Sequence, residues 1–307
     1  LRGEFLDLYT KLKDLIFQFK DYLISEKKLS DNTNYAYYED VLQFYEYLKE
    51  KKAGEMLDYF TLESIDGFLV WIFKKGLSAR SIARKLSSLS LFLKFLKIEK
   101  IIEDNPSGLI NRPKYSKKNP VYLSLDEVEK LINYFDLSKP EGVRDRTIVE
   151  LIYSCGLRVS ELSDLDVGSV RFKDNLLQVF GKGGRERYVP IGERGLGDLK
   201  IYLEKSRPLL LKNKKTDALF LNYRGERLTR KGIWKNLKIA GKLAGIDKEF
   251  CVHSLRHSFA THLIQNGADV RAIQLLLGHK SINTTEIYTH LDLSNLKESY
   301  KKYHTHS

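Results

Sequence analysis

Cysteine is scarce in this 307-residue chain: Cys155 and Cys251 are the only two, far apart, with no Cys-x-x-Cys pair and no Cys/His cluster at metal spacing. A disulfide-stapled scaffold and a zinc finger are thereby excluded. Proline is nearly as rare, at six residues, and glycine stands at 20, which rules out collagen-like and wholly disordered chains. No apolar stretch reaches the roughly 20 uncharged residues that cross a bilayer, and no charged-then-apolar leader opens the sequence. The expectation is a cytoplasmic protein of about two domains with no membrane partner.

What the chain holds in excess is positive charge, 52 Lys and Arg against 40 Asp and Glu, and a formal +12 invites a polyanion. The surplus is uneven: residues 1–110 balance, residues 111–120 carry +4 and residues 121–307 carry +8. The middle stretch, Asn111-Arg-Pro-Lys-Tyr-Ser-Lys-Lys-Asn-Pro120, has two prolines and no apolar periodicity, the composition of an extended linker. Its Arg112, Lys114, Lys117 and Lys118 are candidate phosphate contacts, with a merely soluble tether as the other reading. Two domains follow, residues 1–110 and 121–307, joined by a basic linker.

In the first, Leu12, Leu15, Ile16, Phe19, Tyr22 and Leu23 fall at helical spacing, and a second periodic stretch runs from about Asn34 to Leu48. A third helix begins after Thr61 and stops near Gly76, and a fourth follows Ser78 with a core stripe of Ile82, Leu86, Leu89, Leu93 and Leu96. Four helices predict a compact bundle. Arg80, Arg84, Ser87 and Ser88 lie off that stripe, where cations and small hydroxyls could meet a phosphate chain or form a solvated face.

The second domain reads as helices over Asp126–Phe135 and Arg144–Cys155, then Gly156-Leu-Arg158-Val-Ser-Glu161-Leu. Two β-rich runs, Asn175–Phe180 and Arg185–Ile191, flank Gly181-Lys182-Gly183-Gly184, which is hairpin chemistry with Lys182 at its tip. The glycines form neither a Walker loop nor a dinucleotide fingerprint. His253 and His257 share a helix face, yet no nearby carboxylate or Cys completes a ligand set, so no metal and no cofactor is expected. Arg256 stands one turn after His253, and a helix stopped by Gly278 leads to His279 and Tyr288. Together, Arg158, Lys182, His253, Arg256, His279 and Tyr288 contain what metal-free phosphoryl transfer requires: guanidinium forks for the oxygens, imidazoles for protons, a hydroxyl nucleophile and an ammonium acid.

This arrangement resembles the tyrosine site-specific recombinases, and among them the short Xer-type enzymes that resolve chromosome dimers. Gly156-Leu-Arg158-Val-Ser-Glu-Leu is similar to the family's first-arginine box, His253-Ser-Leu-Arg256-His257 to its His-x-x-Arg box, and Leu277-Gly278-His279 with Tyr288 to its closing segment. Phe259-Ala-Thr-His-Leu and Asn266-Gly-Ala-Asp also match. In the first half, Leu29-Ser-Asp-Asn-Thr, Ser78-Ala-Arg-Ser-Ile-Ala-Arg-Lys-Leu-Ser and Asp104-Asn-Pro-Ser look like the core-binding domain of the same proteins.

The resemblance implies a mainly α fold with a small β-sheet in the second domain: a SAM-like helical core-binding domain and an α/β catalytic domain closing as a C-shaped clamp on duplex DNA. It implies that Arg158 and Arg256 hold the scissile phosphate with His279, that Tyr288 attacks to leave a 3′-phosphotyrosine, that Lys182 is the general acid, that His253 assists, and that Glu161 orients the site. It also implies no ATP or divalent ion, a dif-like inverted-repeat target, a tetramer on two DNA sites formed alone or with a sister recombinase, a nucleoid location and a DNA-translocase activator. A mobile-element integrase, a type IB topoisomerase and a binding-only DNA protein are the rival readings. Past Tyr288, Leu293, Leu296, Tyr300 and Tyr303 recur at helical spacing, either self-packed or, as in the family, docked into a neighbouring protomer. On the latter reading, deleting residues 292–307 preserves DNA binding and weakens subunit cooperation.

Overall fold

The computed structural model describes residues 2–27, 29–51, 60–110, 121–181, 184, 186–278 and 290–306, the side chains of 2–8 and 290–296 aside. The chain divides into two compact units, Leu1–Lys118 and Asn119–Ser307. The expected linker, residues 111–120, lies outside the described residues, and with it Arg112, Lys114, Lys117 and Lys118. Among the described residues no helix is long and apolar enough to cross a membrane.

The first unit is built on α1 (Arg2–Ser25), α2 (Asp31–Lys51), α3 (Leu62–Lys74) and α4 (Ala79–Ile98). The Thr61 and Ser78 hydroxyls accept the backbone N–H groups of Ser64 and Ser81, each at 3.2 Å, so α3 and α4 start where the sequence places them. The apolar stripes meet in a core rich in phenylalanine, with Phe19 edge-on to Phe92 at 5.1 Å and Phe44 edge-on to Phe68 at 5.2 Å.

A polar cluster is sealed between α2 and α4. The buried Asp40 carboxylate accepts from Lys85 Nζ at 2.7 Å, from Ser88 Oγ at 2.7 Å and from Arg84. Ser88 is fully buried, which corrects its reading as a phosphate contact: it sits one turn beyond Arg84 on the face turned toward α2. Ser87 donates to Ala83 O of its own helix at 3.0 Å. Arg80 and Arg84 are exposed, although Arg84 also ion-pairs with Asp40.

The second unit runs α5 (Leu125–Asn133), α6 (Pro140–Ser154), α7 (Val159–Asp164), then an antiparallel sheet in the order β1 (Val170–Arg171), β2 (Leu176–Phe180), β3 (Glu186–Pro190). It continues with α8 (Glu193–Ile201), a π-helical turn over Tyr202–Ser206, α9 (Arg207–Leu211), α10 (Arg230–Leu243), α11 (Val252–Gln265), α12 (Val270–Leu277) and α13 (His290–Tyr303). Helix α6 is buried along almost its whole second half and packs against α5, α8 and α11. The hairpin of β2 and β3 is the expected one, and Gly184 closes it, with φ +72° and its N–H on Gly181 O at 3.2 Å. Strand β1, two residues long, is too short to carry a readable alternation.

Tyr300 of α13 is buried in the core of its own unit, and beyond it His304 and His306 are buried too. The His306 ring lies between two carboxylates, with Nδ1 3.0 Å from Glu150 and Nε2 2.9 Å from Glu129. The end of this segment is therefore packed on its own unit, and losing residues 292–307 removes buried groups from it.

Replacing Asp40 by Ala leaves the buried Lys85 ammonium with the Gln43 carbonyl, 2.7 Å away, in place of a counter-charge. The expected loss is about 3 to 5 kcal/mol, read from equilibrium urea unfolding of the whole chain.

Candidate active site

Helix α6 ends at Ser154 and the chain turns through Gly156 at φ +58°, where a Cβ would meet Phe259 Cδ1 at 2.6 Å. Glycine is required there by conformation and by space. The turn delivers Arg158 to the N-cap of α7, and Glu161, one turn in, accepts both the Arg158 backbone N–H at 2.8 Å and its Nη1 at 2.7 Å. One carboxylate thus caps the helix and fixes the side chain that precedes it.

Arg256 reaches the same place from α11. It is buried, donates to Gly156 O and, at 2.6 Å, to Leu277 O, and its Nη1 lies 3.8 Å from Glu161. A third guanidinium, Arg187 of β3, was not singled out in the sequence. It grips Glu161 with both Nη atoms, at 2.8 and 3.0 Å, and donates from Nε to Leu276 O at 3.3 Å. Its signal was present: in Glu-Arg-Tyr-Val-Pro, residues 187 and 189 alternate onto one face of the strand, and Val189 is fully buried, so an arginine occupies a core position.

The three guanidiniums also divide the end of α12 among them. Arg187 donates to Leu276 O, Arg256 to Leu277 O and Arg158 to Gly278 O at 3.3 Å. Carbonyls at a helix C-terminus have no intrahelical donors and carry the negative end of the helix dipole, so cations satisfy both needs. Gly278 ends the helix at φ +64°, as expected for a glycine stop.

Three cations therefore face one carboxylate. Burial alone would raise the Glu161 carboxyl, but the hydrogen bonds and charge of Arg187, and then the hydrogen bonds of Arg158, outweigh it and hold it at about 2. Burial, followed by the adjacent charge of Arg158, brings the Arg256 guanidinium down to about 9. The cluster keeps a net positive charge and suits an anionic oxygen.

His253 stands exposed on α11, one turn before the buried Arg256. Lys182, His279 and Tyr288 lie outside the described residues. His257 packs edge-on to Tyr122 at 6.2 Å. Among the described residues, no group of three or more His, Cys, Asp or Glu is placed to hold a metal ion.

Because the folded Glu161 carboxyl titrates at about 2 rather than the ordinary 4.5, its contribution to stability is complete above pH 4.5 and is lost as pH falls toward 2. Glu161→Gln is expected to be less stable by roughly 3 kcal/mol at neutral pH, with the gap to the parent narrowing in acid. Thermal melts from pH 7 to pH 3 check this.

Comparison with known proteins accords with the geometry. Residues 122–294 match the Phage integrase family, and residues 16–100 match the Phage integrase N-terminal SAM-like domain. The chain is 42% identical over 293 residues to the tyrosine recombinase XerD of Staphylococcus epidermidis, covering 95% of this chain and 99% of that protein. The crystal structure of the XerH site-specific recombinase bound to palindromic difH substrate, a post-cleavage complex, aligns with TM-score 0.69 and 28% identity over 87% of this chain and 78% of that one. A lambda integrase tetramer bound to a Holliday junction shares the fold, with TM-score 0.68 and 23% identity over 89% and 75% of the two chains. A SAM-like helical unit, a helical unit with a small antiparallel sheet, and arginines gathered on one carboxylate belong together: the chain is a member of the phage integrase family, the tyrosine recombinases, which cut and rejoin DNA.

Proposed function

We propose that the chain cleaves and rejoins duplex DNA at a dif-like inverted-repeat site through a 3′-phosphotyrosine, and that it resolves chromosome dimers. The observation that carries this reading is the convergence of Arg158 and Arg256 on Glu161. Both guanidiniums can stay charged at neutral pH and hold nonbridging phosphate oxygens through paired N–H donors. Glu161 sets their position and tempers their repulsion.

In the reaction, the Tyr288 oxygen bonds to phosphorus as the bond from phosphorus to the 5′ oxygen breaks. His253 takes up the tyrosine proton, Lys182 supplies one to the leaving 5′ oxygen, and His279 donates to a phosphate oxygen alongside the arginines. The phosphotyrosine conserves the bond energy, so a 5′-hydroxyl from the partner strand can reverse the step without ATP. Arg80, Arg84, Ser87 and the linker cations Arg112, Lys114, Lys117 and Lys118 would contact the DNA backbone. The working assembly would be four subunits on two sites, of this chain alone or with a sister recombinase, under a translocase. Identity of 42% to a XerD along nearly the whole chain supports the chromosomal role over a mobile-element one.

The test is to incubate the chain with a pool of randomised duplexes in chelator, trap adducts with detergent and sequence the protein-linked ends. Ends linked through the 3′ phosphate that collect on one inverted repeat are expected; scattered ends would indicate a topoisomerase, and none a binding protein. Tyr288→Phe should bind the selected duplex and form no adduct. Arg256→Ala should slow adduct formation by about 3 to 4 kcal/mol in single-turnover kinetics. Affinity for the duplex should fall steeply with salt in a titration, as each neutralised phosphate releases counterions.

A further inference from the structure

We propose that Arg187 is a positioning residue for strand cleavage: it holds Glu161 and the end of α12 in place while Arg158 and Arg256 engage the scissile phosphate. The inference rests on the reading of those two arginines given above.

Arg187 sits on β3 opposite Val179, on the face whose other members are apolar and buried. Its side chain is 6% exposed, against 10% for Arg256 and 35% for Arg158. A guanidinium is costly to bury, and an inward strand position would be better filled by an apolar side chain unless the charge is needed there. Nη1 and Nη2 each donate to Glu161 and Nε to Leu276 O, so the fork is occupied inside the unit. It acts through the groups it holds.

The two phosphate arginines are differently placed. Arg158 spends donors on Glu161 and Gly278 O, and Arg256 on Gly156 O and Leu277 O. Phosphate oxygens compete for those same N–H groups, because a guanidinium has five and each serves one acceptor well. As the phosphate draws Arg158 and Arg256 forward, the contacts to the carbonyls of residues 277 and 278 weaken. The Leu276 contact stays, being made by the arginine that the phosphate does not recruit. It secures the chain three residues before His279, on the path to Tyr288.

Arg187 also keeps Glu161 ionised. Among the described residues, the charged groups facing Glu161 are Arg158 of the α7 N-cap, Arg187 of β3 and Arg256 of α11. Gly278 seals the arrangement from the other side, since a Cβ there would lie 3.2 Å from Arg187 Cδ and Nε. Without the fork of Arg187, the buried carboxyl loses its main counter-charge and takes a proton at higher pH, and a neutral Glu161 no longer steers Arg158.

The experiment compares the parent chain with Arg187→Met and Arg187→Lys, using as probe the nicked duplex that the parent selects from the randomised pool. Duplex affinity, thermal melting and the single-turnover rate of adduct formation are measured from pH 5 to pH 8. Expected are unchanged affinity, an adduct rate lowered about 100-fold in Arg187→Met, in line with a slight misplacement of reacting groups, and a new fall in rate toward acid that the parent lacks. Arg187→Lys, which keeps the cation without the fork, should regain the flat acid side and part of the rate. It carries the comparison if Arg187→Met does not fold. Parent-like rates in the folded variants, or a loss that follows only the folded fraction with an unaltered pH profile, would overturn the proposal. No adduct with the parent chain would instead overturn the cleavage reading on which it rests.

Discussion

The catalytic unit is organised around a carboxylate that faces more positive charge than it can neutralise. Glu161 is buried, and three guanidiniums from α7, β3 and α11 meet on it. Removed from water, such a carboxylate survives as an ion only because its hydrogen bonds are filled. The arginines in turn are held within reach of one another only because it is there. The remaining donors go to the last carbonyls of α12, so the same contact that gathers the cations also ties down the segment leading toward His279.

The Asp40 cluster of the first unit and the Glu161 cluster of the second differ in purpose. Around Asp40 the knot is closed: Lys85, Ser88 and Arg84 fasten α4 to α2. Around Glu161 positive charge is left over. A surplus of buried cation is unfavourable by itself, and an incoming phosphate relieves it. Binding and assembly of the site draw on one electrostatic imbalance.

Much of this was legible beforehand. Period-3.6 stripes preceded by Thr61 and Ser78 marked α3 and α4, because capping is a local interaction that leaves a local trace. The glycines around Lys182 announced the hairpin. Arg158 and Arg256 stood out as residue types at family spacing. Arg187 was passed over because a charged residue in a short strand reads as outward-facing until the alternation with Val189 is weighed. Ser88 looked like a surface hydroxyl, since nothing in α4 alone reveals that Asp40 of another helix reaches it. Tyr300 illustrates the same limit: periodicity shows that a face is apolar, while only the tertiary fold shows what covers it.

Apart from the pair of Arg158 and Glu161, one helical turn apart, the site is assembled from distant parts of the chain. The contact of Arg187 with Leu276 spans 89 residues, that of Arg256 with Gly156 spans 100 and that of Arg158 with Gly278 spans 120. Contacts of such separation are late to form, since the entropy of closing long loops precedes any reward. During folding, the capacity to grip a phosphate thus arrives with the completed unit.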